Sequence, residues 1–376
     1  MPTPAGLYVH VPFCAKKCHY CDFVTAPAGD PSAHAAYLSA LAREAAARSE
    51  RFSSTEFETL YVGGGTPSAL SADEAEELFR TLRRTFRFRD GAEVTLEANP
   101  GDVTPEKAVR YRSLGVTRVS VGAQVFDDAA LAALNRAHGV SAIGATFAAL
   151  RGAGFDNVSL DLMLSLPGAT RASLARSLEA VAALSPEHVS LYELVIEDRT
   201  VFGQRRREGR LPLPDEALQL AMLEEARGFL KARGWRHYEL LNYARPGFES
   251  RHNLLYWSNS DYLGLGPGAF SYFDGRRFRT ADSHSLWLEK AARGDFEALE
   301  EDRLDEEKKQ IESLLLALRL TEGAALERFD GVLRKLAPGV ESLSEKGLVE
   351  RAGGRLRLTA RGQLFAETVF AELSSV

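Results

Sequence analysis

Cysteine is almost absent from this chain. Of 376 residues only three are Cys, and all three fall between positions 14 and 21, as Cys14, Cys18 and Cys21. Three thiols cannot form a framework of pairs, and clustered unpaired thiols belong to a reducing compartment. Long apolar runs are also missing: nothing reaches the ~18–20 residues needed to cross a bilayer. Excess positive charge is missing too. A formal net charge of −6 and a pI near 5.9 give no global attraction to nucleic acid or to anionic lipid. There is no internal repeat and no low-complexity tract. The chain enters its first apolar segment within a few residues of Met1, so no signal peptide is expected. These absences lead us to expect a soluble, cytoplasmic protein that binds no nucleic acid. Its apolar content of 45% is ordinary for a globular chain.

What is present alternates. Strand-like runs at Leu7–Pro12, Thr59–Val62, Val94–Glu97, Arg118–Val121, Val158–Met163 and His188–Leu194 are separated by helix-like runs. Ser32–Arg51 has helical spacing, Ser71 with Glu74 forms a capping-box pattern, and Pro105 opens a helix over Thr104–Ser113. Six βα units predict a parallel sheet with helical crossovers. A closed eight-stranded barrel takes about 250 residues, so a partial (β/α)6 barrel over residues 1–200 fits better. Residues 201–300 read as a basic, Pro-punctuated connector (Gln204–Pro214) followed by an aromatic- and Gly-rich segment. Residues 301–376 read as a small α+β, winged-helix-like domain: a helix over Glu306–Leu320, a second broken at Pro338, and a hairpin turning at Gly353-Gly354.

The cysteines follow the first strand with spacing C-x₃-C-x₂-C. Tetrahedral structural zinc wants four ligands, so a zinc site would need His10 or His19 as well. A cubane iron–sulfur cluster held by three thiolates keeps one iron open to a small molecule. Functional groups of parallel α/β barrels gather at the carboxyl ends of the strands, and each strand end here carries something. Gly63-Gly64-Gly65-Thr66-Pro67 follows the second strand, where glycines let a backbone approach a ligand closely and offer its N–H groups. Glu97 closes the third strand, Gln124 the fourth, and Asp161 lies within the fifth. A buried acid is costly unless paired or hydrogen-bonded, so a run of acceptors at successive strand ends points to a polar ligand.

The cysteine spacing, with Tyr20 before the third Cys and the GGGTP segment, resembles the radical S-adenosylmethionine (SAM) family. The resemblance implies a [4Fe–4S] cluster on Cys14, Cys18 and Cys21 whose open iron chelates SAM, and reductive cleavage of the SAM sulfonium. It further implies that Gly64, Gly65, Thr66, Glu97, Gln124, Arg136 and Asp161 contact SAM, with Tyr8 and Tyr20 lining its pocket. Arg136 otherwise reads as a solvated helix residue. The opening Tyr8-Val9-His10-Val11-Pro12-Phe13-Cys14, the Gly-Ala-Gln at 122–124 and the winged C-terminal domain are similar to oxygen-independent coproporphyrinogen III oxidase and its relatives, over nearly the whole chain. That oxidase has a fourth Cys where Phe23 stands, and an N-terminal extension ahead of the cysteine strand. Both differences favour the sister group, the heme chaperones of HemW type. Arg251-His252-Asn253-Leu254-Leu255-Tyr256-Trp257 matches that group's HNxxYW signature, which implies heme as cargo with His252 as its iron ligand. Partners implied are heme-accepting proteins, membrane respiratory enzymes among them, and an electron donor for the cluster. The chain would act as monomer or homodimer, at the inner face of the membrane or free in the cytoplasm. The alternative is oxidative decarboxylation of coproporphyrinogen III.

One outcome follows from the thiols alone. Replacing any one of Cys14, Cys18 or Cys21 by Ser abolishes the visible thiolate-to-iron absorption of the anaerobically reconstituted protein. A protein lacking all three that still assembled a full cluster would refute the assignment.

Overall fold

The computed structural model describes residues 5–374. Its spine is a run of parallel strands: β1 (Ala5–Val11), β2 (Glu56–Gly64), β3 (Arg87–Ala98), β4 (Arg118–Gln124), β5 (Val158–Leu164) and β6 (His188–Glu193). They neighbour one another in chain order, each parallel to the next. The crossovers include α1 (Pro31–Ser49), α2 (Ala72–Thr85), α3 (Pro105–Ser113), α4 (Val140–Gly152) and α5 (Arg171–Leu184). Leu7, Val9 and Val11 of β1 and every residue of β4 are buried, as strands covered on both faces must be. Ser71 and Glu74 exchange both hydrogen bonds of the capping box at the start of α2, and Thr104 caps α3 with Pro105 in its first turn.

The sheet does not end with these six strands, nor does it close. A seventh parallel strand, β7 (Asp261–Leu265), pairs with the free side of β1. Beyond it run Phe270–Phe273, Arg276–Arg279 and Glu300–Arg303, all antiparallel. At the other edge Asn242–Ala244 and Arg236–His237 add to β6 in antiparallel fashion. Twelve strands result, and residues 236–303 therefore build both edges of the sheet. Sequence reading did not find β7, because Asp261-Tyr262-Leu263-Gly264-Leu265 is short and its glycine weakens any strand pattern. Gly264 is required there: a Cβ would sit 2.1 Å from the Phe270 carbonyl oxygen.

The C-terminal domain has its own core, built around Leu314, Leu318, Phe329, Leu336, Leu343, Leu356 and Val369. A three-stranded sheet of Ala324–Ala325, Arg355–Leu358 and Val349–Ala352 forms the wing. Gly353 and Gly354 turn the hairpin with φ of 56° and 74°, as a two-residue primed turn requires. Pro338 does not interrupt a helix. It lies in the first turn of Ala337–Glu345, where its missing N–H costs nothing, and the break falls at Leu336.

One carboxylate fastens the added strands to the barrel. Glu44 of α1 is fully buried and accepts hydrogen bonds from the Gly266 N–H (2.8 Å), the Thr280 hydroxyl (2.8 Å) and the Trp287 indole N–H (2.9 Å). Gly266 follows β7, and Trp287 lies on a helix over His284–Ala292. Glu44→Ala strands three buried donors. It should lower stability to urea by at least about 1–3 kcal/mol, the cost of leaving one buried donor unsatisfied. An unchanged urea midpoint would refute this.

Candidate functional site

The carboxyl ends of β1–β6 open into a cavity of about 550 Å³, within the ~300–1,000 Å³ range of small-molecule clefts. Cys14, Cys18, Cys21, Tyr20, Gly64, Gly65, Thr66, Glu97, Gln124, Arg136 and Asp161 all line it. Eleven positions picked out in the sequence thus meet in one place, drawn from six different loops and strand ends.

The three thiols are unpaired and half-buried. Burial pushes the Cys14 and Cys21 thiols above their usual range. Cys14 Sγ lies 3.4 Å from the Thr66 hydroxyl, and the Arg136 guanidinium donates to Cys18 Sγ at 3.4 Å. Among the described residues no three His, Cys, Asp or Glu converge as one metal ion requires. In a cubane each thiolate takes its own iron, so three thiols around a cavity, with a cation beside one of them, fit a cluster better than an ion. The two histidines that a zinc site would need are held by other groups. His10 has both ring nitrogens engaged, with Tyr8 OH (3.1 Å) and the Val24 carbonyl (2.8 Å), and His19 Nδ1 meets the Ala133 carbonyl at 2.9 Å.

The glycine run works differently from expectation. The Gly65 N–H donates to Val11 O (2.8 Å) and the Gly64 N–H to Glu97 Oε2 (3.1 Å), so neither is free for a ligand. Closeness is what the glycines provide. A Cβ on Gly63 would come within 2.9 Å of the Glu97 carboxyl, one on Gly64 within 2.6 Å of the His10 ring, and one on Gly65 within 2.5 Å of Pro12 O. Glu97 also accepts from Tyr61 OH at 2.7 Å, and burial lifts its carboxyl to about 7. Asp161 is raised by burial as well and accepts from the Ser120 hydroxyl at 3.1 Å. Gln124 ends β4 with φ of 64°, a conformation rare outside glycine. Arg136 is no solvated helix residue: besides Cys18 it holds Gly122 O at 2.8 Å and the Asn99 side chain.

Two expected site residues lie elsewhere. Tyr8 lines a second, larger cavity of about 1240 Å³, which shares Lys17, Asp22, Phe23, Thr25, Gly64 and Glu97 with the first. His252 lines neither. It is 1% exposed, Nδ1 meets Thr59 Oγ1 at 2.6 Å, Nε2 meets Tyr256 OH at 2.9 Å, and burial drives its pKa down to about 3. Both of its ring nitrogens are thus engaged by hydroxyl groups of the protein itself. Its neighbours in the motif, Tyr256 and Trp257, do line the larger cavity, together with Tyr262, Phe270 and His284. Sequence reading also missed Tyr192 and Glu193, which line the first cavity from the end of β6; their position at a strand end was the available signal.

The model of the radical SAM superfamily matches residues 8–181, and that of the HemN C-terminal domain matches residues 304–365. A heme chaperone HemW of Bacillus subtilis is 35% identical over 374 residues, spanning 96% of this chain and 97% of that one. The heme chaperone HemW of Escherichia coli is 32% identical over 379 residues, spanning 97% of each. Among solved structures, the coproporphyrinogen III oxidase HemN of Escherichia coli, a radical SAM enzyme, superposes with a TM-score of 0.87 at 24% identity, covering 99% of this chain and 90% of that one. That likeness shows the fold.

The geometry of Glu97 generates a pH dependence. Below about 7 its carboxyl is neutral and gives an ammonium no counter-charge; above, it is ionised. Affinity for SAM should therefore rise with pH through that value, by up to about tenfold per unit on the acid side. Glu97→Gln should flatten the profile. A calorimetric titration showing the same slope in both proteins would remove Glu97 from the site.

Proposed function

The chain belongs to the HemW family of radical SAM heme chaperones, and from that we propose that it carries heme and delivers it to hemoproteins from the cytoplasm. In this reading Cys14, Cys18 and Cys21 hold a [4Fe–4S] cluster. Glu97, Gln124, Arg136, Asp161 and Thr66 surround SAM in the smaller cavity. When bound, cluster and SAM together supply one-electron cleavage of the sulfonium. The protein's own part is to seat both groups: Arg136 places a positive charge at the thiolate of Cys18, and Glu97 and Asp161 offer buried acceptors.

One observation carries the reading: a second cavity, large and aromatic, shares a wall with the thiol-lined one. Its volume exceeds ordinary ligand clefts of ~300–1,000 Å³. Tyr8, Tyr256, Trp257, Tyr262 and Phe270 offer flat apolar faces to a porphyrin, and the lining includes the guanidinium groups of Arg199 and Arg277, which are paired with Asp22 and Glu312. Tyr256, and not His252, is the group of the HNxxYW motif that meets the cargo. His252 is a positioning residue, aiming the Tyr256 hydroxyl through its 2.9 Å hydrogen bond.

Heme titration tests this against the decarboxylase alternative. The reconstituted protein should bind heme stoichiometrically and leave coproporphyrinogen III unconverted under reducing, anaerobic conditions with SAM. Tyr256→Ala should weaken heme binding with cluster content intact. His252→Gln, which can still hydrogen-bond the Tyr256 hydroxyl, should keep the wild-type Soret band, whereas an iron-ligating imidazole could not be exchanged without shifting it. A shifted Soret band in His252→Gln would restore His252 as the ligand. Turnover of the porphyrinogen without heme affinity would overturn the chaperone reading.

A further inference from the structure

The basic run after β6 has no role in either cavity. Residues 201–207, Val-Phe-Gly-Gln-Arg-Arg-Arg, form α6 (Val201–Arg207), with Arg205, Arg206 and Arg207 in its last turn and Arg210 just beyond. Basic residues at a helix C-terminus complement its dipole, but one would serve. This chain is acidic as a whole, at −6, which makes a local excess of arginine informative.

The position of α6 matters more than its charge. Its Phe202 N–H donates to the His19 carbonyl at 2.9 Å, and the two rings lie 5.8 Å apart. Arg199 pairs with Asp22 at 2.6 Å. Phe202 is completely buried, and Gly203 packs so tightly that a Cβ would fall 2.3 Å from Glu197 O. The helix is therefore fixed on the outer side of the cysteine loop, whose own Lys16 and Lys17 are exposed between Cys14 and Cys18. Arg207 has Asp198 at 3.6 Å and Arg210 has Glu208 as partner. Lys16, Lys17, Arg205 and Arg206 have no carboxylate partner among the described residues.

We propose that this face, Lys16, Lys17, Arg205 and Arg206 around the cysteine loop, is the docking surface for an acidic one-electron carrier protein. The inference rests on the cluster assignment above. A cluster that must be reduced from outside needs its donor where the cysteine loop reaches the surface, and that is where the chain gathers unpaired positive charge. An acidic donor is repelled by the rest of the molecule, so the patch orients it as well as attracting it. A cluster held by Cys14, Cys18 and Cys21 would accept a single electron from the donor's reduced flavin, with no group transferred.

The test uses Arg205→Glu/Arg206→Glu, with Arg205→Lys/Arg206→Lys as the conservative control. The probe is a fully reduced, negatively charged flavodoxin. At low salt the glutamate variant should be reduced roughly 10- to 100-fold more slowly than wild type, as expected on losing electrostatic steering. High salt should erase the difference, and the lysine variant should behave as wild type. Dithionite, a small reductant that needs no docking, should reduce all three at the same rate. Calorimetric affinity of the cluster-free chain for flavodoxin should fall in parallel. Unchanged flavodoxin rate and affinity would overturn the proposal, as would equal slowing with dithionite. Binding of wild type to anionic vesicles, lost in the variant while its flavodoxin kinetics persist, would reassign the patch to lipid. A chain that assembles no cluster would show no bleaching with dithionite, which marks failure of the cluster assignment, while the affinity measurement still decides the patch.

Discussion

β1 is hydrogen-bonded on both sides, and most of the molecule's design follows from that. β2 pairs along one edge from Ala5 to Val11, and β7 along the other from Ala5 to Val9. A strand held so cannot shift register without moving all its buried side chains to the wrong face. It runs directly into the cysteine loop, so the position of Cys14 is fixed by the sheet and not by the loop. The loop is then fastened from outside as well, by Asn135 on the Lys17 carbonyl (2.8 Å) and by the His19 N–H on Leu134 O (3.1 Å). The two neighbours of β1 also explain the two cavities. β2 ends in the glycine run beside the thiols, while β7 leads to Gly268, Ala269 and Phe270 on the larger cavity. Two sites share a wall because they share a strand.

The sequence makes the first of these sites readable and hides much of the second. Cysteine spacing, a glycine triplet and a carboxylate at a strand end are local signals, and the rule that barrel chemistry gathers at carboxyl ends assembles them without coordinates. The six central strands were legible for the same reason, since continuous apolar runs alternate with capped helices. β7 was not, because five residues with a glycine carry too little pattern. His252 shows a different limit. Its motif was visible, yet its partner Thr59 stands 193 residues earlier, and no local pattern says whether an imidazole faces a cavity or closes a hydrogen-bond chain. The larger cavity is built from the cysteine loop, from Tyr256–Tyr262 and from Phe270–Ser285, segments that only the sheet topology brings together.

The interior between β1 and β6 is more polar than the strand sequences suggest. Glu93 accepts from the backbone N–H groups of Arg251 and His252, at 3.2 and 3.1 Å, which holds the start of the HNxxYW helix against β3. His188 is bridged between Ser159 (2.8 Å) and Tyr238 (2.9 Å), and Arg118 lies buried near Glu93. Each buried polar group has a reason to remain, since removing one partner strands the other in a low-dielectric interior. The network also places its tyrosines: Tyr61 points at Glu97, and Tyr256 is aimed by His252.

Glu97 is where the two cavities are coupled. It lines both, and its two oxygens are already committed to Tyr61 and Gly64. A cation drawn to it from the thiol-lined side stabilises the carboxylate and strengthens its hold on the Tyr61 hydroxyl. Tyr61 is tilted 31° against Tyr8, with ring centroids 6.2 Å apart, and 5.0 Å from the His252 ring that positions Tyr256. The small cavity is thus joined to one ring wall of the large one by a single buried carboxylate and two aromatic contacts. Linkage makes this reciprocal: a ligand that displaces Tyr8 or Tyr256 alters Glu97's affinity for a cation by the same factor. The shared wall is a physical link between the two cavities that requires no domain movement.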